Sequence, residues 1–214
     1  PLNVYYATLC KLTSQVNNTG SGSKPTENSS YLKTIGIKLP LVDGKHVEAS
    51  DNDVLNDIKK SFYIKPDFLT DSDEQCFLDE LEPFLKRLRY EFDHWDNAIH
   101  GYRETERSKW STESSVLLNR IKDLAFRQNP TNCATQAPQN SWPYNKNEIL
   151  THVHVLDLHK DGYIKPHVDS IRFCGNTIAA VCLLSDAVMR LTNEKDKKKY
   201  ANILLKRRCL YIMK

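Results

Sequence analysis

The chain has 214 residues with 40% hydrophobic and 27% charged side chains, and its formal net charge is +3. That length suits one domain with appendages, and the composition is ordinary for a globular protein. So small a charge gives no argument for a nucleic-acid or acidic-membrane partner, and no apolar run reaches the ~18 residues of a transmembrane helix. None of the six cysteines has Cys-x-x-Cys spacing, which disfavours a thiolate zinc site and predicts reduced, partly buried thiols.

Residues 1–50 are predicted to be a disordered or targeting tail. The stretch from Thr13 to Ser30 is rich in Ser, Thr, Asn and Gly and has a single acidic residue. Such a segment lacks the apolar side chains that would offset the entropy of ordering it. It is acid-poor and hydroxyl-rich, as transit peptides are, but the first Arg is Arg87, so a linker is favoured over a presequence. The chain begins at Pro1 rather than Met, which predicts a fragment or a processed product.

Helices are predicted after residue 50. The first begins at the Asp-rich stretch "DNDVLNDIKK". The second is capped by Thr70 or Asp71 and carries an apolar stripe at helical spacing, although Pro83 should kink or split it. The third is "STESSVLLNRIKDLAF", capped near Ser111 or Thr112, with a stripe of its own. The second and third helices are each expected to pack their apolar stripe inward.

Strands are predicted mainly in the second half of the chain. The aromatic segment "RYEFDHWDNAIHGYRETERSKWS" indicates a short strand, Arg89–Phe92, followed by a loop. From Glu148 onward, β-branched and alternating patterns predict a strand "EILTHVHVLDLH", a turn "KDG", and further strands "YIKPHVD", "TIAAVCLLS", "VMRLTN" and "ANILLKRRCLYIMK". The charge run Glu194–Tyr200 is predicted to be a solvated hairpin loop. Helices followed by strands predict an α+β fold with a sheet or barrel.

A short metal-binding pattern, His-x-Asp, occurs at His94/Asp96, His159/Asp161 and His167/Asp169. Residues i and i+2 share a face on extended backbone, so a chelating pair should lie at a strand end. Turn chemistry already explains the second match, and no strong strand signal follows the first. The third follows a segment that Pro166 keeps extended. His167 and Asp169 are therefore the best candidates for two of the three ligands in a two-His-one-carboxylate iron site.

Two long segments carry a family resemblance: "HVLDLHKDGYIKPHVDSIRFCGNTIAAVCLLSDAVMRL" and the aromatic segment upstream of it. Over residues 60–214 the chain resembles the AlkB family of iron- and 2-oxoglutarate-dependent dioxygenases, and within it a mitochondrial subgroup. The resemblance implies one dioxygenase domain, residues 51–214, with N-terminal helices packed on a double-stranded β-helix (jelly-roll) barrel that lacks its last strands. Leu156 and Leu158 stand where the wider family has an Asn-x-Tyr contact to 2-oxoglutarate, which fits the subgroup and argues against DNA repair.

The resemblance also implies the cofactors and their ligands. Fe(II) would be held by His167, Asp169 and a distal His; 2-oxoglutarate would chelate the metal, contact Tyr211 and pair with an Arg. His167 is the last His of the sequence, and the family's Arg lies further on still. The resemblance therefore implies a half-site in an inactive, C-terminally incomplete chain. Lys206-Arg207-Arg208-Cys209 also replaces the family's Pro-Gly-type turn before the strand of Tyr211.

The resemblance implies an oxidised substrate that is a protein side chain or an RNA base. It further implies a monomer in the mitochondrial matrix with no DNA partner, and a link to programmed necrosis and fatty-acid metabolism. A different class of function stays open, namely a non-enzymatic interaction protein on a degenerate dioxygenase barrel. A zinc protein that uses His152, His154 and His167 is a further hypothesis.

The aromatic segment has two interpretations. The simpler one is that Trp95 and Tyr102 pack over the core. The other is that the segment lines a site, in which case His94 or His100 could replace the missing iron ligand. His152 or His154, which share one face of the neighbouring predicted strand, is an equivalent alternative.

Overall fold

The computed structural model of the chain describes residues 3–9, 47–92, 94, 97–126, 149–168 and 177–213. Helices precede most of the strands in these residues, which confirms the predicted α+β class. No helix among them is long and apolar enough to cross a membrane. The elements follow the order β1 (Asn3–Leu9), β2 (Val47–Ala49), α1 (Asn52–Ser61), β3 (Phe62–Lys65), α2 (Asp71–Leu85), β4 (Ile99–Arg107), α3 (Thr112–Phe126), β5 (Ile149–Ile164), β6 (Ile178–Cys182), β7 (Ala187–Thr192), β8 (Tyr200–Leu205) and β9 (Leu210–Met213).

The strands form two sheets, ordered β3-β9-β6-β1-β5-β4 and β2-β8-β7. The described pairs are antiparallel except those of β1, which runs parallel to both β5 and β6. β1 and β2 lie within the segment 1–50 that the sequence predicts to be a tail, so the structure differs from the prediction at these two stretches. β1 has the sequence "NVYYATL", whose β-branched and aromatic residues suit a strand. Residues 10–46 lie outside the described part of the chain.

Side-chain caps start the first two helices where the sequence predicts. Asp51 caps α1, and its carboxylate accepts a hydrogen bond of 2.8 Å from the backbone N–H of Val54. Thr70 caps α2 through a reciprocal capping box with Asp73, in which each side chain accepts from the other residue's N–H at 3.0 Å. These bonds satisfy N–H groups that have no partner inside the helix. Of the two predicted caps of α2, Thr70 is therefore the correct one.

Pro83 does not split α2, which continues through it to Leu85. The predicted split is wrong because Pro83 lies in the last turn, where the missing N–H removes one hydrogen bond and few helical residues follow. The start of α3 matches its prediction: the Ser111 hydroxyl accepts a hydrogen bond of 3.1 Å from the N–H of Ser114. Ser111 is thus the cap of α3.

Two predictions around β4 and β5 are wrong. The segment predicted as a loop after Phe92 contains β4, whereas the predicted strand Arg89–Phe92 contributes only an isolated bridge from Glu91 to Tyr102. The "KDG" segment is not a turn but a bulge inside the 16-residue strand β5. At this bulge Gly162 lies against the backbone of Gly101, whose φ is +67°, and the close approach leaves no room for a Cβ on Gly162.

The C-terminal strand predictions are partly correct. β6 and β7 match "TIAAVCLLS" and "VMRLTN", but "ANILLKRRCLYIMK" forms two strands, β8 and β9, and "YIKPHVD" contributes only the last two residues of β5. β7 and β8 form an antiparallel hairpin, and the charged residues that join them are exposed, which confirms the predicted loop. At the start of this loop, the side-chain oxygen of Asn193 accepts hydrogen bonds from the N–H groups of Lys195 and Asp196 at 2.9 and 3.0 Å.

The large sheet has two faces with different partners, because successive side chains of a strand point to opposite sides. On its outer face, Val153, Val155 and Val181 pack with the buried stripes of α2 and α3 in one core cluster. On its inner face, Ala180, Cys182 and Tyr211 belong to a second core cluster. That second cluster joins the small sheet through Ile203 and Leu205 of β8. The predicted contact between Tyr211 and 2-oxoglutarate would therefore lie on the inner face.

Candidate functional site

His167, the first predicted iron ligand, follows the end of β5 and is exposed. Its Nδ1 lies 2.9 Å from the carbonyl oxygen of Lys165. The backbone of Lys165 is in turn fixed, since its N–H donates to the carbonyl of Ala98 at 2.7 Å. Its Nζ donates to Oδ1 of Asn97 at 2.8 Å. Asp169, the second predicted ligand, lies outside the described residues.

The hydrogen bond to Lys165 determines the tautomer of His167. A carbonyl oxygen only accepts hydrogen bonds, so Nδ1 carries the proton and the lone pair is on Nε2. A histidine that ligates a metal commonly donates its other ring N–H to a carbonyl or carboxylate in this way. In the neutral form of His167, this hydrogen bond is compatible with metal binding through Nε2.

Tyr211, the predicted contact to 2-oxoglutarate, is a buried residue of β9. It is paired with Ala180 on β6 and with Ile64 on β3, and its ring stacks on Phe62 with centroids 5.8 Å apart and planes 7° apart. The same row of the sheet continues through β1 to His154 on β5. Tyr211 and His154 therefore point to the same inner face, from two different strands.

A cluster of His94, Glu104 and His154, here called the His–Glu–His cluster, joins β4, β5 and the loop before β4. Nε2 of His154 lies 2.8 Å from one carboxylate oxygen of Glu104, and Nε2 of His94 lies 3.7 Å from the other. The hydrogen bond from His154 is the main reason that the pKa of Glu104 lies below its usual value. An ionised Glu104 thus fixes the orientation of the His154 ring.

This cluster bears on the alternative metal ligands. Among the residues that the structure describes, no three His, Cys, Asp or Glu side chains are arranged to hold a metal ion. The zinc hypothesis needs His152, His154 and His167 to converge, and they do not, because His152 and His154 lie near the start of β5 whereas His167 follows its end. His100 packs against the rings of Phe92 and Tyr163 at centroid distances of 5.4 and 5.2 Å.

The packing interpretation of the aromatic segment is confirmed for Tyr102. Its side chain is buried, and its hydroxyl donates to the carboxylate of Glu91 at 3.2 Å. Trp95 lies outside the described residues. Sequence reasoning missed Glu104, because "YRETER" is mostly charged and gives no strand signal; once β4 is known to be a strand, its period of two places Tyr102 and Glu104 on one face.

Asp157 is a buried acid on the outer face of β5, with 1% of its surface exposed. Its Oδ2 accepts from Nε of Arg103 at 2.7 Å and from the hydroxyl of Tyr90 at 2.9 Å. Burial and the charge of Asp157 raise the pKa of Tyr90 to about 12. Arg103 also donates to the carbonyl of Leu85 at 2.7 Å. The acid therefore anchors the C-terminal end of α2 to the sheet.

A second buried acid, Glu74 of α2, holds the turn before β9. Its carboxylate accepts from Nε of Arg207 at 2.8 Å and from the N–H of Leu184 at 2.6 Å. The hydrogen bonds to Glu74 raise the pKa of Arg207. The N–H of Arg207 also donates to Asp186 at 2.8 Å, a bond that proline could not make. Glu74 thus connects α2 to the strand that carries Tyr211.

The turn itself shows what replaced the family's Pro-Gly pattern. The N–H of Cys209 donates to the carbonyl of Lys206 at 3.0 Å, so Arg207 and Arg208 are the central residues of a β-turn. Arg208 has a φ of 66°, a left-handed conformation that favours glycine. Its guanidinium pairs with Asp71 at the start of α2. The two arginines therefore keep the turn and add contacts to α2.

Comparison with known proteins adds the family. No protein-family model matches the chain. Over 168 residues it is 44% identical to a mouse (Mus musculus) protein named "Alpha-ketoglutarate-dependent dioxygenase alkB homolog 7, mitochondrial". The bovine (Bos taurus) protein of the same name is also 44% identical, and both alignments cover 78% of this chain and 68% of the relative. The chain therefore belongs to the alkB homolog 7 family of alpha-ketoglutarate-dependent dioxygenases.

Proposed function

We propose that this chain is an Fe(II)- and 2-oxoglutarate-dependent dioxygenase in which His167 and Asp169 hold the iron and Tyr211 contacts 2-oxoglutarate. The observation that carries the proposal is the hydrogen bond of 2.9 Å from Nδ1 of His167 to the Lys165 carbonyl. It leaves the lone pair on Nε2, as a metal-ligating histidine requires. Bound iron and 2-oxoglutarate would supply the oxidation of a substrate C–H bond by molecular oxygen.

The proposed architecture is a double-stranded β-helix. Its support is that the large and small sheets share a buried layer, formed by Ala180, Cys182 and Tyr211 on one side and by Ile203 and Leu205 on the other. In this arrangement the inner face of the large sheet becomes the interior of the barrel. Residues 51–214 are proposed to be the dioxygenase domain.

The residues of this chain would have separate roles. The Lys165 carbonyl orients the imidazole of His167, and the stacked ring of Phe62 holds Tyr211 so that its phenol can donate to a 2-oxoglutarate oxygen. Leu156, a buried residue of β5, excludes water from the inner face where the wider family has a polar contact. Together these residues are proposed to supply part of the iron and 2-oxoglutarate site.

Calorimetric titration of anaerobic Fe(II) into the purified chain tests the metal half of this proposal. His167→Ala should weaken iron binding about tenfold or more, because it removes one of two proposed protein ligands. His152→Ala is the matched control, since His152 is also an exposed histidine on β5 and the present proposal leaves it out of the ligand set; a loss of iron affinity in His152→Ala equal to that in His167→Ala would favour the alternative ligand set with His152. Equal iron affinity for His167→Ala and the unsubstituted chain would contradict the proposal.

The cofactor half is tested by titrating 2-oxoglutarate into the iron-loaded chain. Tyr211→Phe should lower the affinity for 2-oxoglutarate by about tenfold while the iron affinity stays constant, because the ring and its packing remain and one hydrogen-bond donor is lost. Unchanged 2-oxoglutarate affinity in Tyr211→Phe would remove Tyr211 from the site.

A non-enzymatic interaction protein is the second candidate function. The observation that favours it is that the inner face is filled by buried apolar side chains, among them Cys182, Ile203 and Leu205. A folded chain that binds neither Fe(II) nor 2-oxoglutarate would support this candidate and overturn the first one. We propose that the protein is a monomer and that its substrate is a protein side chain or an RNA base. The names of the mouse and bovine relatives support the mitochondrial compartment.

A further inference from the structure

We propose that Cys182 and Cys209 form a dithiol that closes to an intramolecular disulfide across β6 and β9 when the protein is oxidised. Cys182 is the last residue of β6, and Cys209 directly precedes β9. Neither cysteine is in a disulfide in this structure, and both are completely buried. Because the proposal requires neither iron nor 2-oxoglutarate, its failure would leave the proposed dioxygenase activity untouched.

The backbone places the two cysteines opposite each other. The N–H of Cys182 donates to the carbonyl of Cys209 at 3.1 Å, and the N–H of Arg208 donates to the carbonyl of Cys182 at 2.7 Å. With Arg208 at a φ of 66°, this is the hydrogen-bond pattern of a β-bulge whose first residue is left-handed. Directly opposed residues in a regular antiparallel pair have Cα atoms about 4.5–5.5 Å apart, within the ~4.4–6.8 Å that disulfides span; at this bulge the second hydrogen bond comes from Arg208 instead of Cys209.

The side chains also point the same way. The antiparallel register pairs Ala180 with Tyr211 and Val181 with Leu210, and its next step brings Cys182 opposite Cys209. Alternation along the strands puts both cysteines on the inner face with Ala180 and Tyr211, and all four belong to the same buried cluster. The two sulfur atoms therefore enter one apolar layer from neighbouring strands.

The chemistry balances with hydrogen peroxide as oxidant. One thiolate attacks a peroxide oxygen, the O–O bond breaks, and the cysteine becomes a sulfenic acid with release of one water. The second thiolate attacks that sulfur, the S–S bond forms, and a second water leaves. In sum, the two thiols lose two protons and two electrons, and the peroxide takes them up to become two waters.

Burial sets the conditions for the reaction. A fully buried thiol is shielded from solvent, so peroxide reaches it only when the start of β9 opens. The disulfide would enclose residues 183–208 and would limit the unfolded ensemble of that segment. It would also hold β9 against β6 two residues before Tyr211.

The test uses a background variant in which Cys10, Cys76, Cys133 and Cys174 are replaced by Ala. Folded protein is treated with hydrogen peroxide, alkylated and digested. We expect a cross-linked peptide pair containing Cys182 and Cys209, and an intact monomer lighter by the mass of two hydrogen atoms. The additional variant Cys182→Ala is the matched control, and in it the linked pair and the mass loss should both be absent.

Stability provides a second readout. The oxidised background variant should unfold at a higher urea concentration than its reduced form, and dithiothreitol should reverse the shift, whereas the Cys182→Ala control should show no shift. Recovery of both residues as free thiols, as sulfinic acids or in intermolecular dimers would overturn the proposal. The same peptide mapping on the unsubstituted protein decides the question if the four replacements prevent folding.

Discussion

The outer and inner faces of the large sheet are held by different physical means. On the outer face, Glu74 and Asp157 are each 1% exposed and each pairs with an arginine from a distant part of the chain. On the inner face, the contact to the small sheet is an apolar layer, and the charged Glu104 lies beside it with two histidines. Buried charge on the outer face thus joins helices to strands. On the inner face an apolar layer joins the two sheets, and the His–Glu–His cluster lies beside it.

The largest expected effect breaks the outer face at the turn before β9. Arg207→Met leaves the carboxylate of Glu74 buried without its cation, which should lower the free energy of unfolding by about 4 kcal/mol. Urea denaturation followed by circular dichroism measures the change. Lys206→Met is the matched control, because its partner Asp186 is 28% exposed and such a pair contributes about 1 kcal/mol or less. A loss for Arg207→Met as small as that of the control would show that Glu74 does not depend on Arg207.

The next effect concerns the other buried acid. Arg103→Met removes the cation from Asp157 and the donor to the carbonyl of Leu85, but Tyr90 still donates to the acid. We therefore expect a somewhat smaller loss, about 3 kcal/mol, in the same urea experiment. Arg190→Met on the exposed face of β7 is the control. A neutral result for Arg103→Met would contradict the anchoring role of Asp157.

The hydrogen bond from Tyr90 to Asp157 should make the stability of the outer face depend on pH in the alkaline range. Because the pKa of Tyr90 is raised from 10.0 to about 12, its contribution is present below pH 10 and is lost as the pH rises toward 12. Water screens the partly exposed ring, so we expect about 1 kcal/mol from it. The difference in unfolding free energy between the unsubstituted chain and Tyr90→Phe, measured from pH 8 to 12, should shrink over that window. A constant difference would exclude Tyr90 as the cause.

The inner face should lose stability at the opposite end of the pH scale. The pKa of Glu104 is lowered from 4.5, so its contribution is present above that pH and is lost as the pH falls through the lower folded value. Glu104→Gln should remove this acid-dependent part, whereas Glu106→Gln, an exposed neighbour on β4, should retain it. Thermal melts at a series of acid pH values measure both variants. The same acid slope in Glu104→Gln and in the unsubstituted chain would contradict the assignment.

The smallest effect is expected at Arg208. Arg208→Gly relieves a left-handed φ of 66°, a gain of about 1 kcal/mol, but removes the ion pair with the exposed Asp71. A net change between zero and about 1 kcal/mol in favour of the variant should follow. Asp71→Asn separates the loss of the ion pair from the relief of backbone strain, since it removes the ion pair and leaves the backbone of Arg208 unchanged. Destabilisation by Arg208→Gly beyond that of Asp71→Asn would argue against strain at this turn.

The sequence predicts the features that are local. Thr70 and Ser111 are recognisable as caps, and the apolar stripes of α2 and α3 follow helical spacing, because each signal lies within a few residues. The metal motif is singled out by strand context and by the family resemblance. The sequence does not predict that Glu74 is buried, because an acid in the first turn of a helix has the same local pattern when it is exposed. Only its distant partner, Arg207, distinguishes the two cases.

The errors also have physical reasons. "KDG" has the composition of a turn, and a bulge inside a long strand uses the same residues. β4 was predicted as a loop because it carries charges on both faces, with Arg103 and Arg107 bound to acids on the outer side and Glu104 bound to histidine on the inner side. A strand whose charges are satisfied by tertiary partners has no apolar alternation for a pattern to detect.

The close contact of Gly101 and Gly162 fixes the point at which β4 and β5 come together again after the bulge. Beyond it, β4 and β5 resume pairing at His100 and Tyr163, and the N–H of Lys165 donates to the carbonyl of Ala98. Any side chain at position 162 would push the strands apart at this point and tilt everything that follows on β5. The direction of the His167 imidazole thus depends on Gly162, a residue with no side chain that lies five positions earlier in the chain.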